Sequence, residues 1–136
     1  MELDGGCLCG AVRYRISGTP RVTRCCWCRV CQFIGAGNAT VNTVVNADDF
    51  AVHGALGDFA CLADSGSHMH RRFCPRCGTH VYATAEERPQ LVVVRVGTLD
   101  NPAAVQPTQI IWARSAPAWA CLDPKLPCIE GQPPPL

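Results

Sequence analysis

Cys7-Leu8-Cys9-Gly10-Ala11-Val12-Arg13-Tyr14-Arg15-Ile16 joins a pair of cysteines to a run in which Val12, Tyr14 and Ile16 alternate with Arg13 and Arg15. A period of two sends the apolar side chains to one face and the arginines to the other, which predicts a half-buried strand ended by Gly18-Thr19-Pro20. The C-x-C-G in front of it is a knuckle: a tight turn aims two sulfurs at one point, and the glycine takes a backbone angle that other residues resist. Its counterpart is Cys74-Pro75-Arg76-Cys77-Gly78. Cys7, Cys9, Cys74 and Cys77 together supply four thiolates, the closed tetrahedral set that structural zinc prefers. The two pairs lie too far apart for a simple zinc ribbon, whose pairs are roughly 15 to 20 residues apart. A metal held by them therefore ties the first strand to the hairpin around the second knuckle.

Between the knuckles stands Cys26-Trp27-Cys28-Arg29-Val30-Cys31, with three thiols and no evident fourth. Three protein ligands and an open position is the arrangement of a catalytic zinc, so Cys26, Cys28 and Cys31 are the candidate catalytic residues, as ligands. Disulfides explain the cysteines less well, because their number, 11, is odd and C-x-C spacing forms strained bridges. Met1 to Gly6 shows neither a basic nor an apolar leader, so a reducing, cytoplasmic setting is expected, where clustered thiols read as metal or redox chemistry. Cys25 should point away from the metal on a period-two argument. Cys61, Cys121 and Cys128 read as packed free thiols. Any of His53, His68, His70 and His80 could close the open position, although unpaired histidines are usually structural or exposed.

The rest of the chain repeats the period-two signal. Ala39 to Val45, Phe50 to His53, Phe59 to Ala63, Met69 to Phe73, His80 to Thr84, Leu91 to Val96 and Gln109 to Ala113 read as strands, punctuated by 12 glycines and 11 prolines. Helix signals are scarce, a single turn at Asp48-Asp49 apart. The prediction is an all-β fold of short antiparallel strands organised around zinc, with one domain over residues 1–130 and a Pro-rich tail over 131–136, extended or disordered. Trp112 and Trp119 are expected in the core. A net charge of +1 gives no strong pull on nucleic acid, and no apolar run is long enough to cross a bilayer. Arg13, Arg15, Arg21, Arg24 and Arg29 read as a solvated face before an anion-binding patch.

Gly6-Cys7-x-Cys9-Gly10-Ala11-Val12-Arg13-Tyr14, the C-x-C-x-x-C of Cys26, Cys28 and Cys31, Phe73-Cys74-x-x-Cys77-Gly78-Thr79, Gly97-Thr98-Leu99-Asp100 and Pro117-Ala118-Trp119 follow one another in a specific order. In that order the chain resembles the glutathione-dependent formaldehyde-activating enzyme family, to which centromere protein V is also similar. The resemblance runs from Gly6 to about Trp119. It implies a β-tent fold and two zinc ions, a structural one at Cys7, Cys9, Cys74 and Cys77 and a catalytic one at Cys26, Cys28 and Cys31. It also implies carbon–sulfur lyase chemistry on a glutathione–aldehyde adduct such as S-hydroxymethylglutathione, with glutathione as the small-molecule partner. The family commonly carries histidine where this chain has Trp27, which removes a candidate proton carrier.

Physical chemistry narrows what such a site can do. Three thiolates on a dication leave a net charge near −1, and such strong donors make the metal a poor generator of hydroxide. An electron-rich zinc does suit a further sulfur ligand, and coordination ionises a thiol whose free pKa is about 8.5. An enzyme acting on thiol–aldehyde conjugates is therefore expected. The alternatives are a zinc-stabilised β module that binds a protein partner, with the triad closed by Cys25 or a histidine, and a redox or metal sensor using Cys25 and Cys26. Neither oligomeric state nor the aldehyde is encoded in these motifs.

Overall fold

The computed structural model describes residues 1–136. Ten strands, β1 Leu3–Gly6, β2 Arg13–Ile16, β3 Val22–Cys26, β4 Thr40–Asn46, β5 Phe50–His53, β6 Gly57–Leu62, β7 His68–Phe73, β8 His80–Ala85, β9 Arg88–Arg95 and β10 Gln109–Ile111, carry the chain. They form an antiparallel sheet ordered β1-β2-β5 and a seven-stranded sheet ordered β10-β3-β4-β9-β8-β7-β6. In the larger sheet only the β10–β3 pairing is parallel. The fold is thus mostly β, as the alternating sequence pattern predicts.

The main core lies where the two sheets face each other. Val12, Tyr14 and Ile16 meet Val45, Val81, Val92 and Val94, all buried, and each fully buried Val or Ile contributes about 1.5–3 kcal/mol. Phe50 bridges the sheets through ring contacts to Tyr14 at 5.3 Å and Tyr82 at 4.9 Å. The Tyr14 hydroxyl, which burial pushes up to about 12, shares a hydrogen bond of 2.8 Å with the Thr98 hydroxyl. On the outer face of β2 the arginines are paired, Arg13 with Asp100 and Arg15 with Asp4, as a solvated strand face requires.

Three elements escape the sequence pattern. β1, Leu-Asp-Gly-Gly, carries a single apolar side chain, yet it pairs with β2 because its glycines admit a neighbour at very close range. A Cβ on Gly5 would collide with the Thr98 carbonyl oxygen and the Tyr14 ring. Gly5→Ala is accordingly expected to lower stability by about 1–3 kcal/mol, the usual cost of overpacking, and chemical denaturation measures it. β3 is hidden in the sequence by its cysteines. The helix α1, Arg29–Ile34, has six residues, too few to show a 3.6-residue period. The single turn expected at Asp48-Asp49 is a 3-10 turn over Ala47–Asp49.

Beyond β10 the chain has no long regular element and is held by its backbone. Ile110 donates to the Pro127 carbonyl, Ile129 to that of Ile110, and Trp112 to that of Gly131. The indole Nε1 of Trp112 then donates to Gln132 Oε1 at 3.0 Å, which leads Pro133, Pro134 and Pro135 onto the face of the large sheet. Trp112 itself sits at φ 57, the left-handed region, and turns the chain there. Trp119 departs from expectation: it lies in this irregular segment, 68 % exposed, its ring edge-on to buried Trp27 at 6.5 Å. Cys121 and Cys128, in the same segment, are exposed rather than packed, whereas Cys61 is half-buried on β6. No helix is long and apolar enough to cross a membrane.

Candidate metal centres

The knuckles fold as their glycines require. Gly10 at φ 81 and Gly78 at φ 76 occupy the left-handed region, and their amides donate to the carbonyls of Cys7 at 3.1 Å and Cys74 at 2.8 Å. The sulfurs of Cys7, Cys9, Cys74 and Cys77 lie within 4.8 Å of one another. Cys7 Sγ is 3.6 Å from Cys9 Sγ, which is 3.8 Å from Cys74 Sγ. A tetrahedron of Zn–S bonds about 2.3 Å long has edges of about 3.8 Å, so this donor set fits zinc. Backbone and hydroxyl donors already favour ionised sulfur: the Val12 amide donates to Cys7 Sγ at 3.2 Å, and Thr79 brings Cys77 down to about 5.

The second cluster is built by β3 and α1. Cys26 ends β3, while Cys28 caps the helix, its Sγ accepting from the Cys31 amide at 3.4 Å. One short turn of chain thereby brings three sulfurs within 4.8 Å, each buried against Ile111 and Trp112. Gln32 locks the turn, its Nε2 donating to the carbonyls of Trp27 at 2.8 Å and Ser115 at 2.9 Å. The thiols of Cys28 and Cys31 hold Cys26 far above its ordinary value, and the Cys26 and Cys28 thiols hold Cys31 far below. Three buried sulfurs this close cannot ionise together without a cation. The residues present therefore fit a metal ion with three protein ligands.

No histidine or fourth cysteine joins this group. Cys25 points off the other side of β3, as period two requires. His68 Nδ1 is engaged by Glu87 at 2.6 Å, and the His70 ring nitrogens by Asp58 at 2.8 Å and Glu86 at 3.0 Å; these carboxylates raise both histidines above their ordinary values. His53 pairs with Arg13 across β5 and β2, and burial and the charges of Arg95 and Arg71 push His80 down.

Instead, the triad opens onto a cavity of about 300 Å³. Its floor is one face of the large sheet, with Arg24, Asn42, Val44, Met69, Arg71, Ala83, Leu91, Val93 and Arg95. Ala63 to Ser65 and Ser67 form one wall, and Gln132 to Leu136 close over it. Trp27, buried between Cys26 and Cys28, is not among the residues that line it. Of the arginines weighed in the sequence, Arg24 alone faces this cavity. Sequence reasoning missed Arg71, Arg88 and Arg95. The signal was present for Arg95, which stands in phase with Leu91 and Val93 in the most apolar strand, where a charged residue has to serve some purpose.

Comparison with known proteins agrees with this architecture. The family model described as glutathione-dependent formaldehyde-activating enzyme matches residues 2–115. A Halomonas elongata protein that carries the provisional name glutathione-dependent formaldehyde-activating enzyme is 29% identical over 141 residues, covering 98% of this chain and 90% of its own. A crystal structure of a Rhodobacter sphaeroides protein superposes with a TM-score of 0.58 at 24% identity, over 76% of this chain and 91% of that one, and it shares the fold.

Proposed function

The chain belongs to the glutathione-dependent formaldehyde-activating enzyme family, and from that premise we propose that it is a zinc-dependent carbon–sulfur lyase that makes and breaks the adduct of glutathione with formaldehyde. One observation carries the reading. The triad Cys26, Cys28 and Cys31 is gathered on the wall of a cavity with no fourth protein donor beside it, so the remaining position faces space for a ligand. The four-sulfur set of Cys7, Cys9, Cys74 and Cys77 is closed, and its role is structural. A binding module would require the triad to be closed by Cys25 or a histidine, and none of these joins the three sulfurs.

A zinc ion held by Cys26, Cys28 and Cys31 supplies a place for a further sulfur and keeps that sulfur ionised at neutral pH. The chain's own residues do the rest. Asn42 Oδ1 accepts from Arg95 Nη1 at 2.6 Å and fixes the guanidinium, whose positive charge lowers Cys31 along with the neighbouring thiols. Ile111 and Trp112 wall the triad and limit water around it. With that ion in place, the glutathione thiol would release its proton to solvent on binding. Its sulfur then donates an electron pair to the aldehyde carbon, the carbonyl π pair moves to oxygen, and that oxygen takes up a proton from solvent. The reverse sequence breaks the carbon–sulfur bond and returns aldehyde and thiol.

The zinc-loaded protein is expected to accelerate interconversion of glutathione, formaldehyde and S-hydroxymethylglutathione well above the unaided rate, which is limited by the small thiolate fraction near neutral pH. Two-dimensional exchange NMR on the mixture, with metal analysis of the same sample, tests this. Two zinc ions per chain with no acceleration over buffer would overturn the enzyme reading and leave the binding module. The setting consistent with this chemistry is a reducing one, the cytoplasm.

A further inference from the structure

A second cavity, of about 380 Å³, lies beyond the end of β9, between Ile34 at the close of α1, Gly78 and Thr79 of the second knuckle, and Gly97 in the turn after the strand. Arg95 is the one residue that lines both this cavity and the one beside the triad. It is 6 % exposed, so its side chain stands as a partition between the two. None of the nine residues around the second cavity is an acid, and no carboxylate lies within ion-pair distance of Arg95.

The guanidinium is held from one side. Asn42 Oδ1 accepts from Arg95 Nη1 at 2.6 Å, and Asn42 is itself fixed, its Nδ2 donating to Thr40 Oγ1 at 2.9 Å. The remaining edge, Nε and Nη2, is buried and has no partner. These two N–H groups run parallel, the fork that receives a carboxylate in bidentate fashion. Nδ1 of His80, also on the second cavity, is buried without a partner, and the ring is kept in place by that of Phe73 at 5.7 Å. The hydroxyls nearby are already engaged: Thr98 Oγ1 donates to the Arg95 carbonyl at 2.7 Å, and Thr79 Oγ1 accepts from the Leu8 amide at 3.2 Å. One cationic fork and one imidazole nitrogen are left over, in a class of groups that native folds nearly always satisfy.

We infer that the second cavity is a binding site for a small monocarboxylate, held by the Nε–Nη2 edge of Arg95 with Nδ1 of His80 beside it. Arg95 is the only arginine or lysine that lines this cavity, which matches a single negative charge and favours a carboxylate over a phosphate. The site does not depend on what the triad binds. The two are nevertheless neighbours, since the charge of Arg95 acts on Cys31, so a bound carboxylate shares one guanidinium with the triad.

The imidazole nitrogens of the zinc-loaded full chain, labelled at histidine, are followed by NMR as sodium formate, sodium acetate or neutral acetamide is added, with sodium chloride holding the ionic strength constant. Formate and acetate are expected to shift the His80 signals saturably with a Kd of about 1 mM, near the ceiling for so few non-hydrogen atoms. His68 and His70, engaged by Glu87, Asp58 and Glu86, should stay where they are. Acetamide should leave His80 unmoved. Gly97 lies in the 3-10 turn Val96–Thr98, outside the left-handed region, with nothing within 4 Å of an added Cβ. Gly97→Leu therefore fills the cavity without strain, and it is expected to weaken acetate at least about tenfold while the zinc content and the His68 and His70 signals are kept. Acetamide that binds as well as acetate overturns the inference, and so does a His80 shift that chloride alone reproduces. Acetate binding unchanged in Gly97→Leu puts the anion in the first cavity and overturns it too. Should that variant fail to fold, the comparison of acetate with acetamide on the wild type decides. Adduct exchange enters none of these readings, so failure here and failure of the lyase proposal are told apart.

Discussion

Cys77→Ser is expected to be insoluble, or to melt far below the wild type, with its first zinc equivalent lost. The four sulfurs of that site join the turn before β2 to the turn between β7 and β8, so a metal held there would tie the two sheets to each other. Zinc binding to such a set contributes on the order of 10 kcal/mol of folding free energy, comparable with the roughly 5–15 kcal/mol that keeps a whole domain folded. Thermal denaturation with elemental zinc analysis checks it, with Cys121→Ser as control. Cys121 is exposed and belongs to neither cluster, so its loss should change stability by no more than about 0.5 kcal/mol. A Cys77→Ser protein that keeps both its zinc and its melting temperature would remove the structural role from this site.

Cys28→Ser should have the opposite profile, with the fold kept and the chemistry lost. Serine is a good N-cap, so the hydroxyl can accept the Cys31 amide in place of sulfur and α1 survives. The closed site still ties the sheets. The second zinc equivalent, left with Cys26 and Cys31, should be lost, and adduct exchange should fall to the rate in buffer. Retained stability with retained exchange would separate the reaction from the triad.

The two knuckles and the triad were legible because short spacings of cysteine and glycine translate directly into local geometry. β2, β4, β7, β8 and β9 were legible because each has one wet face and one dry one, or is a β-branched run. The elements that were not legible owe their structure to neighbours. β1 is a strand because Tyr14 and the Thr98 carbonyl sit where a side chain would be, and α1 is a helix because sulfur and Gln32 hold its ends. The arginines that line the cavity were hidden for a related reason. Arg24, Arg71, Arg88 and Arg95 are scattered along the sequence, and only the strand order β3-β4-β9-β8-β7 places them on one surface. Trp119 shows the converse: its composition suggests core, but it lies in the irregular segment after β10 and stays 68 % exposed, while Trp112 next to the strand is buried.

The closed metal site has a consequence for the order of events on the ribosome. Cys74 and Cys77 emerge long after Cys7 and Cys9, at a synthesis rate of roughly 5–20 residues per second, so for several seconds the nascent chain offers five thiols from two incomplete or open sites. The triad, closed by one turn of chain, has the lower loop-closure cost and would be the first to capture a metal. A metal ion shared wrongly between the first knuckle and the triad would hold β1 near β3, a strand of the other sheet, until the second knuckle arrives to exchange it. If zinc is the metal, exchange of its ligands would let such a mispairing be corrected, and a chain without metal would be left with its first strand untied to the second knuckle.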